Sequence, residues 1–254
     1  MTNTAHASRD WRHRLLALTV LAAIAAAGCS SAATPSAPSP VAAIPVQPPA
    51  PTPPPDPITA PATARYRATF QATWTAATHP DDFPSSAHFS PLVGGTHSAR
   101  ITFWREGALA SLGIRDMAES GFTSTLSAEV NAAIGAATAE HLLIGSGIPS
   151  PAVTSVEFEV SQSFPLVTLV SMIAPTPDWF VGVSALPLFE DNRWVDERRV
   201  ELIPWDAGTD SGATFTSPDL PTTPSVPIAR LLTAPLSPGG RVTPLGTFTL
   251  TRLP

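Results

Sequence analysis

Lysine is absent from this 254-residue chain: its fourteen basic side chains are all arginines, set against twenty acids. From Arg65 onward eleven arginines face eighteen acids, a balance of −7. A segment of that sign repels polyanions, which argues against nucleic acid as a partner and makes cations the fitting guests. Cysteine is nearly absent too. Cys29 stands alone, so no intrachain disulfide can form, and an exported fold of this composition must hold together by burial. There is no Gly-x-Ser-x-Gly elbow to single out a nucleophile. The regular acidic series and terminal Glu of an EF-hand are missing, and no internal repeat is visible.

What is present changes sharply along the chain. The first 29 residues carry a basic segment (Arg9, Arg12, His13, Arg14), an apolar run from Leu15 to Ala27 and small residues ending at Cys29. That run is too short to stay in a membrane and suits a cleaved export signal. Leu21-Ala-Ala-Ile-Ala-Ala-Ala-Gly28-Cys29 resembles a bacterial lipobox, which implies lipidation of Cys29 and an anchor made durable by several acyl chains. Residues 30–63 are mostly Ser, Ala, Thr and Pro with almost no charge, and twelve prolines lie between Thr34 and Pro61. Such a stretch cannot bury a core and reads as an extended tether, at ~3.1 Å per residue on the order of 100 Å long.

Residues 64–254 read as one folded domain. Tyr66, Ala68, Phe70, Ala72 and Trp74 alternate with polar residues, the mark of a half-buried strand. A turn-rich segment follows from His79 to Pro91, and a second strand is expected at about Ala99 to Trp104. From Met117 to Ile144 alanine is frequent, and Leu126, Val130 and Ile134 recur every fourth position, which predicts a helix stopped by Gly145 or Gly147. Strand texture returns at Val156 to Val160, in the continuous apolar run Leu166 to Ile173, and at 180–188, 198–203 and 246–253. Seven or eight short strands with one helical region predict an all-β fold with a minor helical insertion, an antiparallel β-sandwich.

Two turn-like pieces carry the chemistry. Pro175-Thr-Pro-Asp178-Trp179 and Trp205-Asp206-Ala-Gly208-Thr-Asp210-Ser-Gly212 place Asp178, Asp206 and Asp210 where the chain bends. Gly208 permits the backbone curl that lets two carboxylates and a carbonyl face one point. Calcium takes six to eight oxygens, commonly two or three of them carboxylates, so the three aspartates are expected to form a calcium site. The competing reading is that they cap their own loops as Asx-turns.

His79-Pro-x-x-Phe83-Pro84, His88-Phe-Ser-Pro91, His97, Trp104, Ala110-Ser-x-Gly113, Ser171-Met-Ile-x-Pro-x-Pro-Asp-Trp-Phe-x-Gly-Val183 and Trp205-Asp-Ala-Gly-Thr-Asp-Ser-Gly212 resemble, in that order, the spondin N-terminal domain of F-spondin and mindin. The resemblance covers about Ala64 to Leu232. It implies a C2-like eight-stranded sandwich holding one calcium at a loop end, with Asp178, Asp206 and Asp210 as ligands. It also makes His79, His88 and His97 structural, since their spacing suits neither a zinc-binding helix nor a Cys/His finger. The animal proteins carry thrombospondin repeats and disulfides, and this sequence has neither.

The expectation is therefore an exported, lipid-anchored, calcium-binding adhesion or recognition module of the cell envelope, in the periplasm or at the cell surface. Its partners would be the membrane, through the lipid, and a glycan, lipid headgroup or protein ligand. An envelope hydrolase using the acidic loops on a glycan or phosphoester is the alternative. Among the tryptophans near those loops (Trp179, Trp194, Trp205), Trp194 lies in the most charged surroundings and is the candidate ligand platform.

Overall fold

Alternation in the sequence decides the first strand, and the rest of the sandwich is laid against it. The computed structural model describes residues 60–254; the export signal, Cys29 and residues 30–59 of the tether lie outside the described residues. In chain order the elements are β1 (Thr63–Ala72), β2 (His88–Phe89), β3 (Val93–His97), α1 (Leu112–Ser120), α2 (Ser124–Gly135), β4 (Ala139–Ile144), β5 (Ile148–Pro149), β6 (Ala152–Ser161) and β7 (Leu166–Ala174). They continue with β8 (Trp179–Pro187), β9 (Phe189–Glu190), β10 (Arg193–Trp194), β11 (Glu197–Leu202), β12 (Trp205–Asp206), β13 (Ala229–Arg230) and β14 (Gly246–Arg252).

β1 lies between β14 and β6, and β11 continues the sheet beyond β14, giving four antiparallel strands in the order β11-β14-β1-β6. Tyr66, Ala68, Phe70, Ala72 and, past the strand end, Trp74 are all at most 2% exposed. They face a second antiparallel sheet ordered β13-β12-β8-β7-β2-β5, in which β3 also pairs with β7 and carries β4 on its far side. β7, buried from Val167 to Ala174 and apolar there except for Thr168 and Ser171, is central, as a strand covered on both faces must be. The layer between the sheets packs Phe70 edge-on to Phe89 and Phe248, and Trp74 against Phe83, Phe89 and Phe215. Each such ring, once buried, contributes roughly 1.5–3 kcal/mol.

The helices cover the other face of the second sheet. Ile114, Met117, Leu126 and Val130 pack there with Val93, Val170 and Phe180. Helix α1 starts at Ser111, whose Oγ accepts from the Ile114 N–H at 3.2 Å. Glu129 of α2 accepts from the Ser111 hydroxyl and the Gly113 N–H, both at 2.7 Å. The start of α1 is thereby tied to the middle of α2, with an acid where the α1 dipole favours one.

Two sequence expectations need correction. The segment 117–144 is not one helix: it holds the end of α1, then α2, then strand β4. Gly121 closes α1 in the left-handed region at φ 70°, and Ala139–Ile144 pairs with β3 from Ala139↔His97 to Ile144↔Val93. Residues 99–104 form no strand, and the strand in this region is Val93–His97. Its glycine fits because β7 passes so close that a Cβ on Gly94 would stand 1.9 Å from the Thr168 carbonyl oxygen.

Candidate functional site

The loop between β7 and β8 carries Asp178, and the 206–212 loop wraps it. Thr176 shapes the first bend by accepting from the Trp179 N–H at 3.2 Å. Asp178 is fully buried. Its Oδ2 accepts from the Thr209 N–H at 2.8 Å, the Thr209 hydroxyl at 3.2 Å and the Asp210 N–H at 3.1 Å, while its carbonyl accepts from the Ala207 N–H at 3.2 Å. The two bends are thus joined through one carboxylate. Its other oxygen, Oδ1, is buried with no hydrogen-bond partner.

Asp206 is half-buried at the end of β12 and closes an Asx-turn, Oδ1 accepting from the Gly208 N–H at 2.7 Å. Gly208 has φ 75°, and a Cβ there would lie 2.1 Å from the Val226 carbonyl oxygen. No other residue meets both conditions, which accounts for glycine at this position. Asp210 binds backbone with both oxygens, Oδ1 accepting from Gly212 at 2.6 Å and Oδ2 from Leu220 at 2.8 Å. For both Asp206 and Asp210 the loop-capping reading of the sequence is therefore realised.

Electrostatics mark the same place. Burial, then the nearby charge of Asp206, pushes the Asp178 carboxyl up to about 6, against the opposing hydrogen bonds from Thr209 and Asp210. Burial also raises Asp206, whose bond from Gly208 opposes the shift and whose neighbour Asp210 adds to it. A fourth carboxylate joins them. Glu119, in the last turn of α1, is raised by burial; the Thr209 hydroxyl and the Arg115 charge oppose the shift, and the charges of Asp178 and Asp210 add to it. Sequence spacing gave no sign of Glu119, since a helix ninety residues upstream reaches the loops only through the tertiary fold.

Among the described residues, no three His, Cys, Asp or Glu side chains are gathered closely enough to hold a metal ion as they stand. The donor chemistry nevertheless fits a hard cation. A buried carboxylate oxygen without a partner costs several kcal/mol unless a proton or a cation joins it. Asp178 Oδ1 is such an oxygen, and the Asp178 carboxyl is near enough to those of Asp206 and Glu119 for their charges to interact.

Trp194 does not form a platform. It is 5% exposed, its indole N–H donates to the Pro61 carbonyl at 2.8 Å, and its ring packs against Phe189 and Tyr66. Charged neighbours misled the sequence reading because they flank a tight β9–β10 pairing whose tryptophan turns inward. Trp179 is core as well, 1% exposed, whereas Trp205 is half-buried beneath the Arg230 guanidinium, 5.7 Å from its ring centroid. His79 and His97 are buried, with Nε2 bonded to the Thr243 carbonyl at 3.3 Å and to Thr168 Oγ1 at 2.8 Å. Burial lowers both pKa values, so each is a neutral structural group. His88 Nδ1 lies 2.7 Å from the Ser86 carbonyl.

An antiparallel β-sandwich with helices on one face and a cluster of carboxylates where two of its loops meet defines the class: a β-sandwich domain with an acidic loop end. The chain belongs to the Spondin_N family, whose model matches residues 64–239. It is 38% identical to human spondin-2 over 163 residues, covering 62% of this chain and 49% of that protein. With rat spondin-1 it shares 36% over 198 residues, 71% of this chain and 24% of the relative, and chicken spondin-1 stands at 37% over 179 residues. The chain thus spans about half of spondin-2 and about a quarter of spondin-1.

Proposed function

We propose that this protein is an exported recognition module of the cell envelope, anchored by a lipid on Cys29, whose acidic loop end binds calcium. The observation that carries the calcium reading is the buried, unpartnered Oδ1 of Asp178, in a carboxylate whose charge is coupled to those of Asp206 and Glu119. Asp178 and Asp206 supply the first oxygens, Glu119 closes in from α1, and Asp210 holds the loop in shape through Gly212 and Leu220. When bound, the cation neutralises carboxylates that otherwise repel one another, joins the β7–β8 loop to the 206–212 loop, and offers open positions to an anionic group of a ligand.

The family resemblance supports adhesion or recognition in place of catalysis. A hydrolase using these loops needs a carboxyl of raised pKa within reach of substrate. Asp178 has the raised pKa, but its free oxygen is closed off from solvent. The binding reading is tested by isothermal titration with calcium: one ion per domain is expected for the native protein, and none for Asp178→Asn. Binding that survives unchanged in that variant overturns the assignment. For the anchor, Cys29→Ala is expected to move the protein from the membrane fraction to the soluble one, and an unchanged partition refutes lipidation at Cys29.

A further inference from the structure

Away from the acidic loops, the two sheets leave a slot between unused backbone edges. In β8 the phase of the ladder is fixed from both sides. The Ser90 N–H donates to the Met172 carbonyl, so β7 at Met172 bonds away from β8, and the Ala207 N–H donates to the Asp178 carbonyl. Phe180, paired with Met172 on one side and Trp205 on the other, therefore directs its backbone groups toward β12. Two residues on, Gly182 directs its N–H and C=O the same way. The pairing with β12 has ended by then, because Pro204 turns the chain aside, its carbonyl accepting from the Leu231 N–H.

The ladder of β11 is phased in the same way. The Arg252 N–H donates to the Asp196 carbonyl at 2.9 Å, in register with Glu197↔Thr251. Even-numbered residues of β11 thus bond to β14, and Glu201 turns its backbone groups outward at the edge of the sheet.

Gly182 and Glu201 line one cavity of about 520 Å³. Its apolar lining includes Val183, Leu186, Val200 and Ile203, and one end is walled by Trp104 and Trp205, edge to face at 5.2 Å. Trp104 brings an indole N–H that has no acceptor. The rim carries Arg105 from the loop before α1 and Glu201 from β11; among the described residues neither enters an ion pair, whereas Glu106 is paired with Arg230 at 3.6 Å.

We infer that this slot captures an extended peptide segment of a partner protein by strand addition, the backbone groups of Gly182 and Glu201 pairing with the segment's main chain. Strand addition takes affinity from main-chain bonds and specificity from pockets for alternate side chains. The two unpaired rim charges set the sequence: an apolar residue over Trp205 and Val200, a basic residue toward Glu201 and an acidic one toward Arg105. The inference stands on the sheet edges and not on the calcium reading, so chelation separates the two.

The test uses the full chain and a labelled peptide, acetyl-Thr-Arg-Val-Val-Val-Glu-Thr-amide, followed by fluorescence anisotropy and by amide hydrogen exchange. In the free protein the Gly182 and Glu201 amides are expected to exchange quickly, and millimolar peptide slows both. Methylating alternate backbone nitrogens of the peptide weakens binding by about tenfold or more, and EDTA leaves it unchanged. The double variant Arg105→Glu with Glu201→Arg exchanges the preference to the peptide with Arg and Glu transposed. The inference is overturned if the two amides are already protected in the free protein, if millimolar peptide leaves them unprotected, if the methylated peptide binds as well as the parent, or if cellohexaose protects the same amides equally.

Discussion

Replacing Asp178 by asparagine is expected to stabilise the calcium-free protein near neutral pH while abolishing its response to calcium. The carboxyl lies at about 6 in the fold and near 3.9 in an unfolded chain. A pKa raised by folding adds stability that is fully present below the unfolded value and lost as pH climbs through the folded one. The full difference is about 2 pKa units, or roughly 3 kcal/mol. About 1.4 kcal/mol of it falls between about pH 5 and about pH 7.5. For a domain of this size that is a fall in Tm of about 3–6 °C across the window.

Asp206 and Glu119 are raised as well and push in the same direction. The assay is a thermal melt followed by circular dichroism in EDTA at both pH values. Wild type is expected to melt lower at the higher pH, and Asp178→Asn to flatten that slope and to melt at least as high as wild type at about pH 7.5. With calcium the trend reverses, because protons compete with the cation for the same oxygens. An apo protein whose Tm rises across this window, or an asparagine variant several degrees less stable at the higher pH in EDTA, refutes the reasoning.

Gly208→Ala meets both a positive φ and a carbonyl at 2.1 Å; a loss of about 2 kcal/mol or more in urea unfolding is expected, together with a weakened calcium response. Glu119→Gln should leave the melting curve in EDTA within about 1 kcal/mol of wild type or above it, yet weaken calcium binding several-fold by titration, because it removes one charge from the cluster. Trp194→Ala should cost about 3–5 kcal/mol through the cavity it leaves beside Tyr66 and Phe189, with the calcium affinity of the folded fraction unchanged. An alanine variant of Trp194 with wild-type stability contradicts its placement in the core.

The sequence carried those features that depend on local pattern. β1 alternates cleanly and β7 is apolar but for Thr168 and Ser171, so both strands could be read directly, and the sandwich followed from them. β3 could not, because Gly94 and Gly95 weaken any strand signal and their reasons lie far off in sequence: β7 passes against Gly94, and β4 with Val130 of α2 against Gly95. β4 was hidden by an alanine-rich, helix-like run whose pairing with β3 overrides propensity. At the candidate site, Asp178 and Asp206 were visible because proline and glycine mark the bends that hold them. Glu119 was invisible, and Asp210 could not be told apart from a loop cap until its partners Gly212 and Leu220 were seen.

The central claim, that the acidic loop end takes up calcium, is tested most directly by the melting temperature of the wild-type protein across a calcium titration that begins in EDTA. A steady rise is expected, about 2.7 kcal/mol of added stability at a hundredfold excess over Kd, and a flat response in Asp206→Ala. Coincident wild-type melting curves in EDTA and in millimolar calcium contradict it.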